Sequence, residues 1–387
     1  MKKKVLRIIN RFNLGGPTYN AAYLSKYLED DYETLLIGGQ HDESEESSMH
    51  IIENLGLSPT IIPEMQRAIN LKNDKIAFQK IQNIIKDFKP DIVHTHASKA
   101  GAIGRRAAYK AGVKQIYHTF HGHVFHSYFG ALKTNIYKNI ERNLAKKSTK
   151  IIAISEVQKH ELSNIHQICP KEKIQVIPLG FDLEKFQVNK QEKRKKFRTE
   201  WNIKEDEVAI GIIGRLVPIK NHQFFIDVIE KTIVRTNQKL RFFIVGDGED
   251  KKKLINYTKS KNIDLSTNKA TATVQFTSWI KDIDVVNAGM DIICLCSKNE
   301  GTPVSLIEAQ ASGKPIVSTK TGGIENVVIE NKTALLSKNG DQIGFINNLI
   351  KLIESEIYRK DLSKLSLIKS QEFSYQHLIN NVKKLYQ

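Results

Sequence analysis

Residues 290–318 read Met290-Asp-Ile-Ile-Cys-Leu-Cys-Ser-Lys-Asn-Glu-Gly-Thr-Pro-Val-Ser-Leu-Ile-Glu-Ala-Gln-Ala-Ser-Gly-Lys-Pro-Ile-Val-Ser318. Met290–Cys296 is a short apolar run of buried-strand length, Pro303–Ala311 has helical spacing, and Pro315–Ser318 is a second apolar run. A strand, a helix and a strand in immediate succession make a crossover, which leaves the two strands parallel. Thr302 is expected as the N-cap of the helix and Pro303 as its first residue. The backbone N–H groups that follow lack intrahelical acceptors, and the helix dipole adds about half a positive charge there. That is a ready anion site. Glu300 lies just before it, and Glu308 lies within the helix with a side chain that leans back toward its start. Carboxylates beside a phosphate repel it, so the two glutamates are expected to accept hydrogen bonds from hydroxyls, a sugar on one side and a ribose on the other.

The same rhythm runs outward in both directions. Val5–Asn10, Thr34–Ile37, Ile92–His96, Gln115–His118 and Ile151–Ser155 read as strands, with helical patterns at Tyr19–Tyr27, Lys75–Phe88 and Ala100–Ala111. In the second half Ala209–Ile213, Arg241–Val245 and Val274–Phe276 join the two strands above. Helices are expected at Asn221–Thr232, Asp250–Lys261 and Gly340–Glu354. Alternating strands and helices imply parallel sheets covered on both faces, and two such series imply two doubly wound α/β domains. Pro178 and Gly180, in Ile177–Phe186, mark the boundary. The charge run Gln191–Arg198 beyond it reads as a solvated helix face.

The chain has 387 residues, 59 basic against 42 acidic, and a formal net charge of +17. A prior of about 150 residues per domain gives two domains, each able to bury a core. The basic excess is spread evenly, +9 over residues 1–180 (26 basic, 17 acidic) and +8 over the rest. It suits an anionic small molecule, an acidic membrane surface or a nucleic acid. No zinc finger, basic zipper or aromatic RNA-binding strand motif accompanies it, which argues against nucleic acid. No run of 18 apolar residues is present, and the apolar part after Met1 stops at Asn10, too short for a signal peptide. The chain is therefore expected to stay in the cytoplasm. Lys133, Lys138, Arg142, Lys146, Lys147 and Lys150 form one amphipathic-looking stretch that would meet the inner face of an anionic membrane. Three cysteines, Cys169, Cys294 and Cys296, cannot form a disulfide framework, and the last two read as buried strand residues.

Three further constellations carry chemistry. In Gly211-Ile-Ile-Gly-Arg-Leu-Val-Pro-Ile-Lys-Asn-His222 a strand ends at Gly214. Arg215 and Lys220 follow, a planar fork and a point charge suited to a diphosphate. Phe12-Asn-Leu-Gly-Gly-Pro17 follows the first strand like a phosphate-cradling turn, without a full G-x-G-x-x-G pattern. Six of the twelve histidines, His94, His96, His118, His121, His123 and His126, lie within residues 94–126. They are open to reading as a metal site, but the block holds no Asp or Glu. A polar substrate pocket at the strand C-termini is the stronger reading.

Taken in order, these blocks resemble family 4 glycosyltransferases of the GT-B fold, over nearly the whole chain. Asp91–Arg105 and His118-Thr-Phe-His-Gly-His123 look like the N-domain blocks of bacterial polysaccharide members. Val176–Asp182 looks like the linker entry. Gly214-Arg215 with Lys220-Asn221, Val245-Gly-Asp-Gly-Glu249, Glu300 with Glu308, and Thr321-Gly-Gly323 match the C-domain series. The resemblance implies two Rossmann-like domains facing across a cleft, residues 1–180 and 181–370. A C-terminal helix within 371–387 (about Tyr375–Tyr386) is expected to cross back to the first domain.

It also implies a nucleoside-diphosphate sugar donor, with UDP as the expected carrier. A hexose or N-acetylhexosamine would pass with retention to a saccharide acceptor, expected to be lipid-linked, in capsule, exopolysaccharide or O-antigen synthesis. No metal or other cofactor is implied. Arg215 and Lys220 would hold the diphosphate, and the N–H groups near Val304 and Ser305 would assist. Glu300 would bind the donor sugar and Glu308 the ribose, while His121 would face the transferred sugar. Gly15, Gly16, Gly214, Gly246, Asp247, Gly301, Thr302 and Pro303 would complete the donor site. The chain departs from the family pattern at Pro17-Thr18, where Ala-Glu is common, and at Asn326, where Glu is usual. Rival readings are a nucleotide-sugar epimerase of the same fold, a metal-dependent hydrolase built on His94–His126, and a non-catalytic binding module.

Overall fold

The five apolar runs of the first half become strands β1 (Lys3–Arg11), β2 (Tyr32–Gly39), β4 (Ile92–His96), β5 (Gln115–Phe120) and β6 (Lys150–Ala153), and the structure adds β3 (Thr60–Ile61) and β7 (Ile174–Val176). The five of the second half become β8 (Glu207–Ile213), β9 (Lys239–Val245), β11 (Val274–Ser278), β12 (Ile292–Leu295) and β13 (Ile316–Lys320), and the structure adds β10 (Leu265–Ser266) and β14 (Ala334–Lys338). The computed structural model describes residues 2–13, 16–42, 47–66, 68–122 and 131–387, with side chains from 134 onward in the last stretch. Gly15, His123 and His126, and the side chain of Lys133, lie outside the described residues.

The strands form two seven-stranded sheets, ordered β3-β2-β1-β4-β5-β6-β7 and β10-β11-β9-β8-β12-β13-β14. Every strand pairing within them is parallel. Their central strands are buried on both faces, which is why they read as near-continuous runs of Val, Ile and Leu. Strand order reverses between β1 and β4 in one sheet and between β8 and β12 in the other. Open α/β sheets bind ligands beyond the strand C-termini at such points.

The chain divides into two units, Met1–Phe181 with Phe373–Gln387, and Asp182–Glu372. In the first unit the helix Tyr375–Tyr386 buries Leu378, Val382 and Tyr386 against Val5, Leu24, Ile92, Tyr117, Ile152 and Ile177. Phe181 and Phe373 are joined there by a backbone hydrogen bond of 2.8 Å. In the second unit β8, β9, β11 and β12 share a core with the helices His222–Thr232 and Gln342–Glu354, centred on Ile210, Ile212, Phe225, Phe242, Ile244, Phe345 and Leu349.

One expectation needs correction here. The charge run Gln191–Arg198 lies on a helix, Lys190–Glu200, but two of its arginines turn inward rather than into solvent. Arg194 and Arg198 both reach the carboxylate of Asp291, at 2.8 and 3.2 Å. Of the basic residues in the stretch 133–150, all but Lys150 lie on the helix Ala131–Lys147, and Lys150 opens β6. Arg142 is taken up by the carbonyls of His166 and Gln167 and by Asn139. No helix among the described residues is long and apolar enough to cross a membrane.

Candidate active site

In the second unit the predicted donor residues gather at the C-terminal edge of β8, β9 and β12. The loops after β8 and β9 are zipped together: Gly214 N–H donates to Val245 O at 2.9 Å and Leu216 N–H to Asp247 O at 2.8 Å. Gly246 has φ 142°, and a Cβ there would stand 2.0 Å from Gly214 O, so only glycine permits this approach. Asp247 is held by Lys251 at 2.8 Å. The stem of Lys220 passes over Gly214, within 4.0 Å of where a side chain there would begin. Its ammonium ends 2.5 Å from Glu300 Oε1. Arg215 is exposed, and its guanidinium has no hydrogen-bond or ionic partner among the described residues.

Glu300 is held from several sides. The hydroxyl of Ser297, a residue with no exposed surface, donates to the same Oε1 at 2.5 Å. The carbonyl of Ser297 accepts the hydroxyls of Thr319 at 2.9 Å and Thr321 at 3.0 Å. Gly323 N–H donates to Glu300 O at 2.8 Å, and a Cβ on Gly323 would lie 1.6 Å from Gly301 O. Lys298 N–H donates to Ile219 O at 2.8 Å, which ties this loop to the one bearing Lys220.

The helix that follows begins one residue later than expected. It spans Val304–Ala311, with Pro303 as N-cap at ψ 91° and Thr302 outside it, so Thr302 makes no capping hydrogen bond. The extended ψ of Pro303 ends the loop, and the first helical dihedrals belong to Val304. Val304 and Ser305 N–H have no acceptor among the described residues, while Leu306 N–H reaches Pro303 O at 3.0 Å. Glu308 is half-buried in this helix. Burial pushes its carboxyl up to about 7; the nearby Lys185 opposes the shift and Asp284 adds to it.

In the first unit His94, His96 and His121 form a chain, the first two fully buried and the third half-buried. Arg7 NH1 lies 3.0 Å from His94 Nδ1, and the Tyr386 hydroxyl 2.6 Å from it. A guanidinium can only donate, so Nδ1 accepts and the hydrogen sits on Nε2, facing Thr119 Oγ1 at 2.8 Å. His94 stacks on His96 at 4.3 Å, and His96 Nδ1 meets His121 Nε2 at 3.0 Å. Burial drives the His121 ring down to about 3 and holds His94 and His96 neutral as well. Among the described residues no group of three or more His, Cys, Asp or Glu is placed to hold a metal ion. Cys294 and Cys296 are buried in and just after β12, and both are free thiols. Gly16 opens the first helix, Gly16–Lys26, at the switch point of that sheet.

Two parallel-sheet α/β units with a basic, glycine-lined edge on the second define a GT-B protein, and the comparisons agree. The model for glycosyl transferases group 1 matches residues 193–366, and that for glycosyltransferase family 4 matches residues 14–185. The chain belongs to the family 4 glycosyltransferases. The UDP-Gal:alpha-D-GlcNAc-diphosphoundecaprenol alpha-1,3-galactosyltransferase of Escherichia coli is 32% identical over 310 residues, covering 76% of this chain and 75% of that protein. The capsular polysaccharide biosynthesis glycosyltransferase CapM of Staphylococcus aureus is 26% identical over 309 residues, 77% of this chain and 78% of CapM. Among solved structures, Anabaena HepE in complex with UDP superposes with a TM-score of 0.79 at 18% identity, over 100% of this chain and 99% of HepE.

Proposed function

We propose that this glycosyltransferase moves a hexose or N-acetylhexosamine from a UDP-sugar to a lipid-linked saccharide, with retention, in the synthesis of a bacterial surface polysaccharide. One observation carries the reading. An unpartnered Arg215, the Lys220–Glu300 pair and the free N–H groups of Val304 and Ser305 follow two adjacent strands, β8 and β12, at the switch point of the second sheet. These are donors for a diphosphate beside a carboxylate for sugar hydroxyls. The galactosyltransferase and CapM, named for such acceptors and products, support the acceptor class.

In the reaction the bond from the sugar C1 to the diphosphate oxygen breaks and an acceptor hydroxyl oxygen bonds to C1. The hydroxyl proton passes to the leaving phosphate. This reading assigns no nucleophile among the described residues of the site, and the chain contributes positioning and stabilisation of leaving-group charge. Arg215 and Lys220 supply the positive charge a divalent ion would otherwise bring, and transfer is expected to survive chelation. A thermal-shift screen of nucleotide sugars tests the donor, since a ligand that binds only the folded state raises the midpoint. A midpoint raised by UDP-sugars supports the reading; none raised by any nucleotide sugar overturns it.

Glu308 adds a pH signature. With a carboxyl near 7, it is ionised above neutrality and protonated below it. If the ionised form accepts the ribose hydroxyls, UDP-glucose affinity rises about tenfold from pH 6 to 8, and Glu308→Gln flattens the profile. Stability of the free protein runs the other way. Between about pH 4.5 and 7 the unfolded state releases a proton that the folded state keeps. Glu308 therefore costs stability as pH rises through that window, and Glu308→Gln removes the cost. Calorimetric titration at three pH values checks the first sign and thermal melts the second.

Lys138, Lys146 and Lys147 remain on the helix Ala131–Lys147 as cations for an anionic bilayer, each worth about 1 kcal/mol at most. Salt-sensitive co-sedimentation with anionic vesicles is expected, and its absence removes the membrane contact.

A further inference from the structure

We infer that Ser297 is a positioning residue for glycosyl transfer, acting through Glu300; this rests on the reading of Glu300 as the carboxylate that binds the donor sugar. The sequence marks Ser297 only as the residue after a strand. The structure places it with no exposed surface directly beneath the site.

Glu300 Oε1 accepts from two donors, Ser297 Oγ and Lys220 Nζ, each at 2.5 Å. Oε2 has no partner among the described residues. A carboxylate tethered by one long, flexible lysine stem would turn about its own side-chain torsions. A second donor on the same oxygen, from a buried short side chain, fixes the plane of the carboxylate and leaves Oε2 as the acceptor offered to a hydroxyl. Ser297 can do this only if its own backbone stays in place. The two threonine hydroxyls on its carbonyl, one at the end of β13 and one just past it, serve that purpose. Gly322 and Gly323 close the clasp: a Cβ on Gly322 would lie 2.1 Å from Glu300 O. The turn after β13 is thus a template against which the Ser297–Gly301 loop is set before any donor arrives. Pre-set hydrogen-bonding geometry of this kind lowers a barrier without reorganisation at the moment of reaction.

Removing a hydrogen bond to a charged group costs a factor of roughly 10 to 100 in the step that depends on it. Ser297→Ala is therefore expected to lower kcat by about that factor at saturating UDP-sugar. The donor KM and the thermal shift produced by UDP should change little, because the Ser297 hydroxyl meets Glu300 alone and Lys220 keeps its own contact with that carboxylate. The decisive arm is the double variant. If Ser297 acts only through Glu300, Ser297→Ala in a Glu300→Gln background costs nothing further. Losses that multiply in the double variant, or full kcat in Ser297→Ala alone, overturn the inference. So does a Ser297→Ala protein that no longer responds to UDP, which would mark a role in folding or nucleotide binding. Wild-type transfer by Glu300→Gln instead overturns the reading of Glu300 itself, so the two failures are separable.

Discussion

Lys220→Ala and Glu300→Ala are each expected to lower kcat for glycosyl transfer about 10²–10³-fold while the protein keeps its fold. Both residues lie beyond the strand ends, Lys220 at the end of the 3-10 turn Pro218–Lys220 and Glu300 on a loop, and their pairing at 2.5 Å is a contact of the site rather than of the core. Their side chains are 21% and 10% exposed, so the ion pair is mostly screened from water, and losing either partner is expected to lower the melting midpoint as well. Its main value is to transfer. Lys220 is a positive charge for the departing diphosphate, and its loss should raise the donor KM as well as lower kcat. Of the donor, Glu300 meets only the sugar in this reading, so its loss should fall mainly on kcat, with nucleotide affinity largely retained through Arg215 and Lys220. Arg215→Ala should follow Lys220→Ala, because its exposed guanidinium has no structural partner to lose. Initial rates over donor concentration, with a thermal melt for each variant, separate these cases. Normal rates in both Lys220→Ala and Glu300→Ala would falsify the site assignment.

Asp291→Ala carries the largest expected effect on stability, about 3–5 kcal/mol in the second unit. Asp291 precedes β12 and accepts Arg194 at 2.8 Å, Arg198 at 3.2 Å and the backbone N–H of Ala209 at 2.8 Å. Arg198 is 3% exposed. Close by, Lys314 is clamped on the carbonyls of Ala288 and Met290 at 2.9 and 2.7 Å. Burial lowers the Lys314 ammonium to about 7; Arg194 pushes it further down and Asp291 opposes. Removing the carboxylate leaves the guanidiniums of Arg194 and Arg198 against each other without their shared anion. It also frees an N–H at the start of β8. For a unit of this size the loss corresponds to a midpoint lower by roughly 6–20 °C. A melt within 2 °C of the wild type would contradict this account of the cluster.

The fold was legible where strands are buried on both faces. Ile92–His96, Ala209–Ile213 and Arg241–Val245 announce themselves as apolar runs, and the structure extends the last two by at most two residues. The two-residue edge strands Thr60–Ile61 and Leu265–Ser266 were not legible, because two residues carry no period. The site was legible as separate blocks, since each motif sits on a loop after a strand. Its joints were not. Lys220 and Glu300 are 80 residues apart, and only the adjacency of β8 and β12 brings them together. The same holds for Thr319 and Thr321 on Ser297, 22 and 24 residues away. The inward turn of Arg194 and Arg198 was hidden for a related reason. A charged helix pattern reads as solvent-facing, and the acid that draws these side chains in lies more than 90 residues further on.

The measurement that tests the central claim most directly is transfer itself. The purified full chain is incubated with UDP-hexoses and a diphospholipid-linked N-acetylhexosamine, in parallel with Glu300→Ala, and products are resolved by mass and anomeric configuration. The account predicts one hexosyl unit added to the lipid-linked sugar with the donor's configuration kept, UDP released in equal amount, and the product all but lost in the variant. Donor consumed without any gain of mass on an acceptor, as an epimerase or hydrolase would do, would contradict it, and so would product formed at the same rate by Glu300→Ala.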